Sequence, residues 1–246
     1  MTSAPLPPHP TLDRYYDHDS ERAGLVRDIF DEGAPYYEWI CRVMSLGTGN
    51  RYRMQTLRDA GLRTGMRVLD VATGTGPVLR AAVELSGGRA IGLDPSSGML
   101  HECRKRCAAP LFQGCGEQLP FASASFDMVT MGYGLRHVAD LRVLFAEYRR
   151  VLKPGGRVLV LEITQPRSAL GRWLNRLYLR TVVPGITRIG TGTPAAVRMM
   201  DYFWDTVETC VPPAVILEAL RDAGFTTAKR TVTGGVLSEY VGQNPD

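Results

Sequence analysis

The sequence predicts an α/β fold, a doubly wound and mostly parallel seven-stranded sheet with helices on both faces. Three observations carry that expectation. Short apolar runs alternate with helical segments between residues 63 and 166, a glycine-rich turn follows the first run, and two extended runs joined near Gly234-Gly235 close the chain. Strands alternating with helices at this spacing imply a parallel sheet covered on both sides, and two runs joined by a close turn imply a hairpin at its edge.

The elements follow in order. Residues 1–20 are polar and carry Pro5, Pro7, Pro8 and Pro10, the composition of a flexible arm. Residues 21–62 read as a helical lid of two or three short helices. Leu25, Ile29 and Phe30, then Trp39, Ile40, Val43 and Met44, recur at helical spacing, and turns are expected at Gly33-Ala34-Pro35 and at 46–50. In the core, 63–166, strands are expected over 67–71, 90–94, 109–112, 126–131 and 158–163. Helices are expected over 78–83, 99–107 and 141–152, the last stopped by Pro154-Gly155-Gly156. Residues 167–211 break the alternation after the fifth strand and read as a helical cap. Residues 212–246 supply a final helix and the edge strands, so that 1–246 forms one domain.

Composition narrows the functional classes. A chain of 246 residues with 44% hydrophobic and 22% charged residues can bury a sizeable core, which excludes collagen-like, low-complexity and wholly disordered chains. No run approaches the roughly 18 uncharged apolar residues of a membrane-spanning helix. The proline-rich start lacks the apolar run of an export signal, and five cysteines without a scaffold spacing do not make a disulfide framework. The expected location is therefore the cytoplasm. His101, Cys103 and Cys107 sit close together, but a structural zinc site wants four ligands and no partner pair is evident, so no metal is expected. Nucleic acid is not an expected partner, because no recognition helix or aromatic platform stands out.

The most informative stretch runs from Val68 through Asp70, Ala72, Gly74 and Gly76, with Asp94 ending the next strand. Glycines there let backbone approach a ligand closely, and the later acid can accept hydrogen bonds from ribose hydroxyls. The dinucleotide fingerprint fails, because its third glycine position is Leu79. Asp70 just before the turn would repel a pyrophosphate and favour a cationic nucleoside.

Five blocks in order then resemble class I S-adenosylmethionine-dependent methyltransferases, closest to the menaquinone and ubiquinone biosynthesis C-methyltransferases. They begin with Val68-Leu69-Asp70-Val71-Ala72-Thr73-Gly74-Thr75-Gly76 and with Gly92-Leu93-Asp94 plus 97–100. Glu117-Gln118-Leu119-Pro120-Phe121, Gly132-Tyr133-Gly134-Leu135-Arg136-His137-Val138 and 149–157 complete them. The resemblance implies that S-adenosylmethionine is bound by Asp70, Ala72, Gly74 and Gly76 at its methionyl part and by Asp94 at its ribose. Met99 would pack on the adenine with Gly116 and Glu117 beside it, and Tyr37 would fold over the cofactor from the lid. Cys115 stands where the family usually has Asp or Asn, a departure that puts an adenine-reading side chain there in question and leaves backbone contacts open.

For the acceptor, the block after the fourth strand offers Tyr133, Arg136 and His137 at the carboxyl rim of the sheet, where such folds bind ligands. His137 replaces the family's Asn with a group that titrates near neutrality. It, or a water held by Arg136, is the expected proton acceptor; a loop histidine that merely contacts backbone is the alternative. Tyr178, Phe203, Trp204 and Tyr240 are the expected acceptor contacts. The C-terminal 235–240 departs from the quinone enzymes, so the acceptor pocket can differ from theirs.

Between Glu162 and Asp201 there are six arginines and no acid; without them the formal net charge of +4 becomes −2 for the rest of the chain. Arg172, Arg176 and Arg180 share one helix face, and Leu170, Trp173, Leu174 and Leu177 form an adjacent apolar stripe. Such a helix suits peripheral contact with the inner face of an anionic membrane, or a solvated surface over a pocket. The reading is methyl transfer to a small hydrophobic aromatic or quinol-like acceptor, on carbon, by a chain compatible with a homodimer. Its alternatives are N-methylation of a lipid amine, a specialised-metabolite O- or C-methyltransferase, and a cyclase or non-catalytic cofactor-binding module on the same fold.

Overall fold

The computed structural model describes residues 4–246. Five strands, β1 (Val68–Val71), β2 (Ala90–Asp94), β3 (Leu111–Gln113), β4 (Phe126–Gly132) and β5 (Leu152–Ile163), run parallel. The last two, β6 (Thr226–Thr233) and β7 (Leu237–Gln243), form a hairpin that docks with β7 antiparallel to β5. The order β3-β2-β1-β4-β5-β7-β6 reverses direction between β1 and β4, and such a switch point opens a crevice at the carboxyl ends of the strands. All four residues of β1 are buried, as expected of a central parallel strand.

Helices cover both faces. On one side α5 (Leu141–Val151) and α9 (Pro213–Asp222) bury Leu144, Phe145, Tyr148, Ile216 and Leu220 against the sheet. On the other, α2 (Gly49–Asp59) and α3 (Pro77–Ser86) pack through Leu57, Leu79 and Ala82. The third cluster joins the lid helix α1 (Asp19–Met44) to the cap, which comprises α6 (Ala169–Leu177), a π-helical turn at Tyr178–Val182, α7 (Val183–Thr191) and α8 (Pro194–Thr209).

Two expectations change at the lid. Gly33-Ala34-Pro35 does not break it, and α1 is one helix of 26 residues with Pro35 inside. The small residues serve packing rather than a turn: a Cβ on Gly33 would collide with the Met199 sulfur of α8. The segment expected as a flexible arm is, from residue 4 on, laid against the body. The Leu6 and Pro8 carbonyls accept from the Leu141 and Val211 amides, and His9 and Tyr16 are buried.

Candidate active site

β1 ends in a turn built for close approach. Ala72, Gly74 and Gly76 all have positive φ (53°, 56° and 88°), which glycine adopts freely and alanine only at a cost. A Cβ at Gly76 would stand 2.6 Å from the Cys103 sulfur of α4 (Ser97–Arg104), so that cysteine is core filling beneath the turn. At the end of β2, Asp94 braces the turn: one carboxylate oxygen accepts from the Gly74 amide (2.8 Å) and the other from the Ser96 amide (2.8 Å). Burial pushes its carboxyl up to about 6. Asp70 is buried below, accepting from Thr130 Oγ1 (2.6 Å) and Thr73 Oγ1 (2.7 Å), and burial pushes it up to about 7, with a smaller contribution from Asp94. Neither carboxylate has an ion-pair partner among the described residues.

A narrow cleft over this turn is lined by Ala72, Gly74, Asp94, Met99, Tyr133 and His137, with Phe30 and Tyr37 closing it from α1. The lid is fastened at two points that the sequence reading missed. Asp31 Oδ1 accepts from Ser96 Oγ (2.5 Å) and from the Gly98 amide (2.8 Å) at the start of α4. Glu38 pairs with Arg80 of α3 at 2.7 Å and also accepts from Thr75 Oγ1 of the glycine turn. Gly116 is packed between Val71 and Leu144, and Glu117 Oε1 accepts from the Ala139 amide; neither lines the cleft.

Beyond Phe30, Tyr37, Tyr133 and Phe203, which line both spaces, lies an apolar cavity of about 310 Å³. Ile40, Met44, Tyr178, Leu179, Met199 and Met200 form much of its wall, and Tyr52 and Arg53 of α2 reach it from the side. Tyr133, at φ 64°, closes the block after β4; burial pushes its hydroxyl up to about 12.

Four expected acceptor-side residues sit elsewhere or act otherwise. Arg136 is wholly buried and lines neither space. It donates to Glu162 (2.8 Å), Thr206 Oγ1 (2.6 Å) and the Phe203 and Tyr133 carbonyls, so its guanidinium is committed to these partners behind the wall rather than presented to the acceptor as the sequence had suggested. His137 faces the cofactor cleft, between Phe30 and Tyr202. Burial first, then Arg136, His9 and Arg22, hold its imidazole well below the usual range, which makes it a weak proton acceptor. Trp204 turns away from the cavity and donates to Glu208 at the cap surface. Tyr240 is excluded by strand parity: Leu237 of β7 lines the cavity, whereas Tyr240 projects to the opposite face and packs among Ile216 and Leu220.

The cap's apolar stripe faces outward. Leu170, Trp173, Leu174 and Leu177 are 42–67% exposed, and Leu46, which also lines the cavity, is 82% exposed. Arg176 and Arg180 share Glu208, while Arg167, Arg172 and Arg188 form no ion pair among the described residues. No helix among those residues is long and apolar enough to cross a membrane.

Sheet order, glycine turn and strand-end acid together define a class I S-adenosylmethionine-dependent methyltransferase, an enzyme. The family model of the ubiE/COQ5 methyltransferase family matches residues 16–244, and the chain belongs to that family. It is 36% identical over 229 residues to the ubiquinone/menaquinone biosynthesis C-methyltransferase UbiE of Syntrophotalea carbinolica, covering 88% of this chain and 93% of that one. The demethylmenaquinone methyltransferase of Clavibacter sepedonicus is 32% identical, with 92% and 93% covered. Among solved structures, a SAM-dependent methyltransferase of Thermotoga maritima shares the fold with a TM-score of 0.64 at 20% identity, covering 89% of this chain and 99% of that one.

Proposed function

We propose that the enzyme methylates a ring carbon of a hydrophobic quinol, in the way the names of its curated relatives describe, with the ring in the apolar cavity and the cofactor in the adjoining cleft. The observation that carries this reading is the shared wall: Phe30, Tyr37, Tyr133 and Phe203 line both spaces, so a planar acceptor in the cavity abuts the cofactor cleft. The cleft fits S-adenosylmethionine on its donor set, two buried carboxylates without an ion-pair partner among the described residues, beside a turn that brings backbone close. Asp94 would take the ribose hydroxyls, and Ala72 and the Gly74–Gly76 turn, braced by Asp70, the methionyl part. Met99 would pack on the adenine, and Tyr37 would cover the cofactor. When bound, the cofactor supplies a methyl group on a sulfonium, and the bonding pair stays with sulfur as it leaves. The chain's own task is alignment and exclusion of water, which Phe30 and Tyr37 serve from a lid fixed by Asp31 and Glu38. An amine acceptor is disfavoured, because the cavity presents the Arg53 cation.

The exposed apolar stripe beside Leu46 would rest on an anionic lipid surface, with Arg167, Arg172 and Arg188 at its rim, so that a long-tailed quinol enters from lipid. Incubation with reduced short-tailed demethylmenaquinone and S-adenosylmethionine should give a product heavier by one methyl group on the ring. A methyl found on oxygen, or no product, would refute the acceptor reading. Phosphatidylglycerol vesicles should sediment the wild-type protein and retain little Leu174→Glu; equal retention would remove the lipid surface from the account.

A further inference from the structure

Arg53 is half-buried and stands out among the arginines drawn into the body of the protein. Arg80, Arg136 and Arg150 each pair with a carboxylate, Glu38, Glu162 and Glu147 respectively. The Arg53 guanidinium forms no ion pair or hydrogen bond among the described residues, and its Nε is buried without a partner. The neighbouring Tyr52 hydroxyl is buried and faces the Glu239 carboxylate of β7 without a well-formed hydrogen bond to it. Gly49, Tyr52 and Arg53 lie at helical spacing on the cavity face of α2, and the glycine keeps that face open to the guanidinium: a Cβ there would lie 2.9 Å from an Arg53 Nη. A guanidinium held against an apolar wall without an acid costs free energy unless a ligand completes it.

We infer that Arg53 and Tyr52 form an oxyanion-binding pair, which holds the ionised ring oxygen of the acceptor while the adjacent ring carbon takes the methyl group. The inference rests on the quinol reading above and deepens it. Groups facing the cavity from every side are consistent with it. Tyr37 and Cys41 of α1, Tyr52 of α2 and Tyr133 after β4 are all pushed up by burial, and Arg53 opposes that push on each. Tyr178 of the cap is raised by burial alone. The acids nearby are Glu239 of β7, which acts on Tyr52 and Tyr133, Glu38, committed to Arg80, and Glu162, committed to Arg136. Among the described residues that line the cavity, Arg53 is thus the cation available to an acceptor oxygen.

Protons balance without a protein base. The ring hydroxyl loses its proton to water, and its electron pair, delocalised onto the adjacent carbon, forms the new bond to the methyl group. That carbon then releases its own hydrogen as a proton while the oxygen regains one. One proton is therefore released per methyl transferred, and His137, on the cofactor side, is not needed.

The test uses two readouts. An alkyl-substituted nitrophenol, whose ionised form absorbs at longer wavelength, is titrated on the wild-type protein, Arg53→Lys, Arg53→Met and Tyr52→Phe, each first shown to bind S-adenosylmethionine. The ionisation midpoint of the bound probe should rise by at least about one pH unit in Arg53→Met, less in Tyr52→Phe, and little in Arg53→Lys; one unit is a tenfold change. The acid limb of kcat with reduced short-tailed demethylmenaquinone should move by the same amount, with activity recovering at high pH. Equal midpoints in the wild-type protein and Arg53→Met, failure of the probe to bind, or a loss of kcat equal at all pH values would overturn the pair. A probe shift without quinol methylation would refute the quinol reading and leave the pair standing.

Discussion

Replacing Arg136 by methionine is expected to cost about 3–5 kcal/mol of stability, because it leaves Glu162 buried and charged without its partner. For a domain of this length that corresponds to a fall in thermal midpoint on the order of 10 °C, a large part of a typical folding free energy. The loss is local in origin but wide in effect. Glu162 also accepts from the Leu135 amide, and Arg136 holds the carbonyls of Tyr133 and Phe203, two residues of the wall between cleft and cavity. Its guanidinium further lies 4.5 Å from the Phe203 ring centroid. The double variant Arg136→Met/Glu162→Gln removes the uncompensated charge and should recover about half of the loss. Urea denaturation checks both. A single variant within 1 kcal/mol of wild type would mean that the pair does not organise this wall.

Arg136 also shows where sequence reading reaches its range. An arginine at the carboxyl rim of a central strand reads as a site residue, and only its partner, 26 residues on, makes it structural. The signal was present: Glu162 is the single acid in the otherwise apolar 158–163. Asp94 and the glycine turn were legible because the chemistry is local, an acid ending one strand beside the turn that ends its neighbour. The lid fastenings were not, since Glu38 reaches Arg80 across 42 positions and Asp31 reaches Ser96 across 65. Trp204 and Tyr240 were misplaced by direction rather than by element. Phe203 points into the cavity, so the next residue of α8 is turned by about 100°, and Tyr240 differs from Leu237 by an odd number of residues on β7. Arg53 escaped notice because its meaning lies in a missing partner, which only packing reveals. The strands of the sheet, by contrast, were all foreseen, since alternation of apolar runs and helices is written directly along the chain.

Substitution of Asp94 by alanine should weaken S-adenosylmethionine binding by about 10- to 100-fold, the loss expected when a charged acceptor of a buried hydrogen bond is removed. Two effects would combine: ribose hydroxyls would lose the acceptor proposed for them, and the Gly74 and Ser96 amides lose the carboxylate that holds the turn. Affinity should also depend on pH in a direction that follows from burial. Asp94 is pushed up to about 6 and Asp70 to about 7, whereas an unfolded aspartate ionises near 3.8. The folded protein without ligand therefore holds these protons more tightly than the unfolded chain. The stability they contribute is complete below about pH 4 and declines as pH rises through about 6 and then about 7. A cationic ligand favours the ionised carboxylates, so affinity should rise over the same interval and level off above it, and the ligand should raise the melting temperature more at pH 7.5 than at pH 5.5. In Asp94→Ala the rise centred near pH 6 should vanish while the part due to Asp70 remains. Calorimetric titrations of both proteins between pH 5 and 8 measure this directly, and an affinity in Asp94→Ala equal to wild type at every pH would remove Asp94 from the ribose site.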